Sequence, residues 1–145
     1  MKGTCVLSKL ESVTPAFARL LIAALFILSG LSKLAAPEGT IGYIASVGLP
    51  FPELAYVGAV AVEILGGLVF LVGYQTRLVS LALAAFTVAT AVFFHSNLAD
   101  QNQFIHFMKN ISIAGGFLYA AIYGGGAVSL DHWLANRSKA RLANA

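Results

Sequence analysis

The stretch LAYVGAVAVEILGGLVFLVGY, residues 54–74, carries one charge in 21 residues. A run of that length and apolarity predicts a helix that crosses a hydrocarbon core of about 30 Å. The single charge, Glu63, falls near its middle. On insertion scales a charge at that depth costs roughly 2.5–3.5 kcal/mol. A chain carrying such a group must neutralise it, pair it or let water reach it. Each option points to a polar site inside a set of packed helices.

Three further apolar runs flank this one, at 16–36, 78–95 and 107–130. Together they predict an all-α polytopic membrane protein: one domain, 1–145, built as an antiparallel four-transmembrane-helix bundle with tails 1–15 and 131–145. Composition agrees, with 59% hydrophobic and 10% charged residues, against about 25% charged in a soluble domain. The net charge of +3 does not indicate a nucleic-acid surface. Lys2, Lys9, Arg19, Arg77, Arg137, Lys139 and Arg141 flank the apolar runs or sit in the tails. Counted loop by loop they share one side with both termini, which the positive-inside rule places in the cytoplasm, N-in and C-in. Arg19 and Arg77 are expected to snorkel to that surface. Cys5 is the only cysteine, so a CxxC pair or internal disulfide is excluded and an inert tail thiol is expected.

The connections have distinct chemistry. Gly73-Tyr74-Gln75-Thr76-Arg77 reads as a tight turn between neighbouring antiparallel helices. The loop 37–53 contains Pro37, Pro50 and Pro52, with a short interfacial helix predicted over 40–47. The loop 96–106 is polar, and the segment from Asp131 is predicted to begin an interfacial helix anchored by Trp133.

Depth places the polar groups together. At 1.5 Å per residue, Lys33 lies about 5 Å and Glu63 about 13 Å below the outer edge. His95 ends the third helix there, and His106, Lys109 and Asn110 begin the fourth. On the second helix Glu63 shares a face with Gly66 and Gly67, and on the first Lys33 shares one with Ser29 and Gly30. Small residues on these faces mark close helix packing, which turns the polar groups inward. Glu63 and Lys33 are therefore the candidate catalytic pair. His95, His106, Lys109 and Asn110 are candidate ligand-binding groups. Blander roles stand beside these: snorkelling lysines, interface histidines, a structural Asn110 and a protonated packing Glu63. No metal site is expected, because Glu63 and the histidines differ in depth by roughly 10 Å. Haem is disfavoured because His95 and His106 bracket one loop instead of facing across a cavity.

The chain resembles the DoxX family of small bacterial membrane proteins over about residues 17–134. The resemblance rests on Arg19, Gly30-Leu31-Ser32-Lys33-Leu34, Gly48-Leu49-Pro50, and Glu63 with Gly66-Gly67. It continues through Gly73-Tyr74-Gln75-Thr76-Arg77, Lys109-Asn110, Gly124-Gly125-Gly126 and Ser129-Leu130-Asp131. It implies a four-helix protein of the bacterial inner membrane. It also implies links to thiosulfate:quinone oxidoreductase, to resistance against quinones and catechols, and to redox-stress complexes. A quinone is the ligand expected on this basis, reduced with electrons from a soluble or membrane redox partner or a small reductant. Two other readings stay open. One is a non-catalytic subunit, homo-oligomeric or bound to a partner, that assembles a redox complex. The other is a carrier for a small solute or proton.

Overall fold

The computed structural model describes residues 2–143, with side chains from Leu10 onward. The side chain of Cys5, expected to be inert, lies outside the described residues. Every described element is helical: α1 (Lys2–Ala35), α2 (Pro37–Ser46), α3 (Pro52–Ala61), a π-helical turn (Val62–Gly66), α4 (Gly67–Val72), α5 (Thr76–Phe94), α6 (Gln101–Tyr123) and α7 (Leu130–Ala143). Three stretches are long and apolar enough to cross a membrane: Leu10–Ala35, Pro52–Val72 and Thr76–Phe94.

The apolar run 107–130 does not map onto one helix. Helix α6 starts six residues earlier because the Asp100 carboxylate accepts the Gln103 N–H at 2.9 Å and caps the helix N-terminus. It stops at Tyr123, where three successive glycines break it. Its first turns hold Gln101, Asn102, Gln103, His106, Lys109 and Asn110, so α6 is more polar than the three membrane-length stretches.

Pairing runs antiparallel between α1 and α3–α4. Gly30 faces Ile64, Ile27 faces Gly67 and Arg19 reaches Leu71. The shared core takes Ala23 and Phe26 from α1, Phe70 from α4, Leu83 and Ala84 from α5, and Ala114 and Phe117 from α6. Phe117 is its hub, edge-on to Phe26 at 5.2 Å and to Phe70 at 5.1 Å. Such pairs contribute about 0.5–1.5 kcal/mol beyond area burial.

Arg19 does not snorkel. It is 4% exposed. Nη1 donates to the Leu71 carbonyl at 2.8 Å and the Phe70 carbonyl at 3.3 Å, and Nη2 donates to the Val128 carbonyl. The cause is the end of α4, where the Phe70 carbonyl accepts from the Gly73 N–H at 3.1 Å with a lone pair to spare and the negative end of the helix dipole attracts a cation. Gly73 makes the chain reversal with φ 71°, where a Cβ would collide with Arg19 and Ser129. Asp131, at the start of α7, closes the same end. Its carboxylate accepts from Gln75 N–H (2.7 Å), Thr76 N–H (2.8 Å) and the Thr76 hydroxyl (2.7 Å), capping α5. Its own N–H donates to the Gly73 carbonyl at 2.9 Å.

Candidate functional site

Lys33 Nζ lies 2.8 Å from Glu63 Oε1 and 2.9 Å from Oε2. It also donates to Ser29 Oγ at 2.8 Å, and the Ser29 hydroxyl donates to Glu63 Oε1 at 3.2 Å. Counting residues puts the two charges at different depths, yet they touch. Helical side chains lean toward their own N-terminus. In an antiparallel pair those leans oppose: Lys33 bends back over Ser29, and Glu63 rises to meet it. The carboxylate side chain is 8% exposed and the ammonium side chain 27%.

Glu63 sits in the π-helical turn Val62–Gly66. An extra residue in a turn weakens local hydrogen bonding, and such turns gather at functional sites. Gly30 lets α1 close on that turn, since a Cβ there would stand 2.6 Å from Ile64 Cγ1 and 3.2 Å from Glu63 Cβ.

The pair borders two cavities of about 480 and 330 Å³. Ser29, Glu63, Phe86, Thr90, His95 and Asn110 line both. Lys33 lines only the larger, which runs beneath α2. His106 and Lys109 line only the smaller, beside Phe26 and Ile113. All six candidate residues thus border one or both cavities. The early start of α6 also brings the histidines together: the His95 and His106 rings stack at 5.0 Å with 21° between planes. His95 Nδ1 contacts Gln103 Oε1 at 2.7 Å.

Residue-by-residue reading missed the walls. Tyr43 of α2 closes the larger cavity, its hydroxyl donating to the Phe94 carbonyl at 3.2 Å and its ring 5.5 Å from the Phe94 ring. Nothing local in the sequence marks that long-range contact. Phe86, Thr90 and Phe94 follow an i, i+4, i+8 spacing that does mark one face of α5.

The arrangement defines a small helical membrane protein with an ion pair held between two membrane-length stretches and bordered by cavities. The family model for DoxX matches residues 14–96, which include Lys33, Glu63 and His95. The inner membrane protein YqjF of Escherichia coli (strain K12) is 43% identical over 128 residues, 88% of this chain and 97% of the relative. The inner membrane protein YphA of the same strain is 39% identical over 119 residues, 79% and 85% of the two chains. A Bacillus subtilis (strain 168) protein named "Putative oxidoreductase CatD" is 41% identical over 66 residues, 46% and 48% of the two chains. No solved structure matches. The chain belongs to the DoxX family.

Proposed function

We propose that this is a quinone-linked redox protein of the bacterial inner membrane, acting at the Lys33–Glu63 site. It would span the membrane four times, α6 included, with both termini in the cytoplasm. The observation that carries the functional reading is a buried ion pair bordering two aromatic-walled cavities with hydrogen-bond donors around them. Inner-membrane names among the relatives support the location, and the oxidoreductase name of the third supports the reaction class.

The donor set suits a flat ring with two carbonyl acceptors. Phe26 and Phe86 offer apolar faces, while Lys33, Lys109, His106 and Asn110 offer N–H donors. A bound quinone supplies the capacity to take up two electrons and two protons. Glu63 holds a position from which its carboxyl can take or give a proton within the cavities, and Lys33 balances its charge between events. The electrons come from a redox partner or a small reductant.

Ubiquinone or menaquinone binding to the purified protein tests this. Binding should weaken on Glu63→Gln and on Lys33→Ala; unchanged affinity in both variants sinks the assignment. The direct Lys33–Glu63 contact favours a second reading, a non-catalytic subunit in which the pair only holds α1 against the π turn. There, Glu63→Gln lowers stability or complex yield and leaves quinone binding unaltered.

A further inference from the structure

At the Arg19 end, two adjoining cavities lie apart from the ion-pair site. One is a mainly apolar groove of about 460 Å³ between α1 and α6, lined by Ala18, Ile22, Phe70, Gly116 and Ala120, with Glu11, Thr14 and Arg19 also bordering it. Leu10 and Tyr119, 55% and 67% exposed, stand at its edges. The other, about 580 Å³, is polar and lined by Thr76, Arg77, Ser129, Asp131 and the glycine run. Tyr123, Gly124 and Gly126 border both. The groove lies along the membrane-length part of α1, which begins at Leu10. The polar cavity lies past the end of α6, against the first turn of α7.

Two charges face this polar cavity with capacity to spare. Arg77 lies across the end of α6, since a Cβ on Gly124 would stand 3.7 Å from its Nε. Lys33–Glu63 is the one ion pair among the described residues, so Arg77 has no carboxylate partner there. Asp131 accepts one hydrogen bond at Oδ1 and two at Oδ2. A carboxylate has about four acceptor positions, so one remains at Oδ1. An anion for the guanidinium, a hydrogen-bonding cation for the carboxylate and a hydrocarbon chain for the groove complete the set.

We propose that the two cavities together bind one phospholipid whose headgroup is zwitterionic with a primary amine, a phosphatidylethanolamine. Its phosphate meets Arg77, its ammonium donates to Asp131 Oδ1, and one acyl chain lies along Ala18 and Gly116. A quaternary ammonium has no N–H to give, and a purely anionic headgroup has no cation to offer Asp131. The site is separate from the Lys33–Glu63 site and does not depend on its function.

Native mass spectrometry of the full chain in mild detergent tests this, with phosphatidylethanolamine, phosphatidylcholine and phosphatidylglycerol of identical chains. Phosphatidylethanolamine should be retained about fivefold more tightly than phosphatidylcholine, and Arg77→Gln should weaken it by a similar factor, as expected for one basic contact at a membrane surface. Ala18→Leu fills the groove at an exposed position and should displace the lipid, while Glu63→Gln should leave retention unchanged. Equal retention of phosphatidylethanolamine and phosphatidylcholine overturns the proposal, as does preference for phosphatidylglycerol. So does wild-type retention in both Arg77→Gln and Ala18→Leu, or loss in Glu63→Gln. Displacement of the lipid by ubiquinone would reassign the groove to a quinone and overturn it too.

Discussion

The two ends of this helical assembly each bury charge, and they do it differently. At one end Arg19 is bonded to main-chain carbonyls of α4 and of the turn before α7, while Asp131 takes main-chain N–H groups at the start of α5. At the other, Lys33 and Glu63 bond to each other and to Ser29, side chain to side chain. Main-chain groups at helix ends cannot move without unwinding the helix. A side-chain pair can part by changing rotamers. The first arrangement is suited to holding helices in place, the second to exchanging a partner or a proton, and only the second borders both cavities beneath α2 and beside α6.

Substitution at Arg19 should break this contrast most severely. Arg19→Met keeps the apolar stem and removes every donor. Charge-assisted hydrogen bonds contribute about 1.5–3 kcal/mol each and do not add fully, so a loss of roughly 4 kcal/mol is expected. Denaturant titration in detergent measures it. A loss under about 1 kcal/mol would show that the carbonyls of Leu71 and Val128 find other partners readily.

Next in size is the ion pair. Lys33→Met leaves the Glu63 carboxylate buried without its cation. Breaking a buried pair costs about 3–5 kcal/mol; the partial exposure of Lys33 places this case near 3. The double variant Lys33→Met, Glu63→Gln should recover most of that loss, because no buried charge is left unpaired. Additive losses in the double-mutant cycle would mean that the two residues act independently, contrary to the 2.8 Å contact.

Gly30→Ala probes the same site through the backbone. The added Cβ would sit 2.6 Å from Ile64 Cγ1, so α1 and the π turn must separate. Overpacking of this kind costs about 1–3 kcal/mol. Gly115 of α6, with nothing near its missing Cβ, supplies the control: Gly115→Ala should be neutral or slightly stabilising. Equal effects at the two glycines would show that α1 does not press on the π turn.

The ion pair was legible because Lys33 and Glu63 are isolated charges at the ends and middles of apolar runs, each on a face with small neighbours. Their contact was less legible, since residue counting ignores the opposed lean of side chains on antiparallel helices. The π turn has no sequence period of its own; one inserted residue leaves 54–74 as apolar as a regular helix. Arg19 was misread because its partners lie 51 to 109 residues away and are carbonyls, which every residue carries. The start of α6 was readable in principle from Asp100 with Gln103 three positions on. The polar composition of 96–106 masked that cap as a loop.

Asp131 gives the smallest effect, and one with a pH signature. Its partial burial alone would raise the carboxyl pKa. The Thr76 N–H and hydroxyl, the Gln75 N–H and the charge of Arg19 outweigh that and hold it below the usual carboxylate range. A carboxyl with a depressed folded-state pKa adds stability that is fully present above its unfolded value, about 3.9, and is lost as pH falls through the folded value. Asp131→Asn should cost about 1–2 kcal/mol at neutral pH, the loss expected of a helix cap. The gap between variant and wild type should then narrow below about pH 4, where the unfolded carboxyl takes up its proton before the folded one does. Melting curves from pH 3 to 7 on both proteins measure this. A gap that stays constant over that range would show that the carboxylate charge contributes nothing and that Asp131 anchors α5 by shape alone.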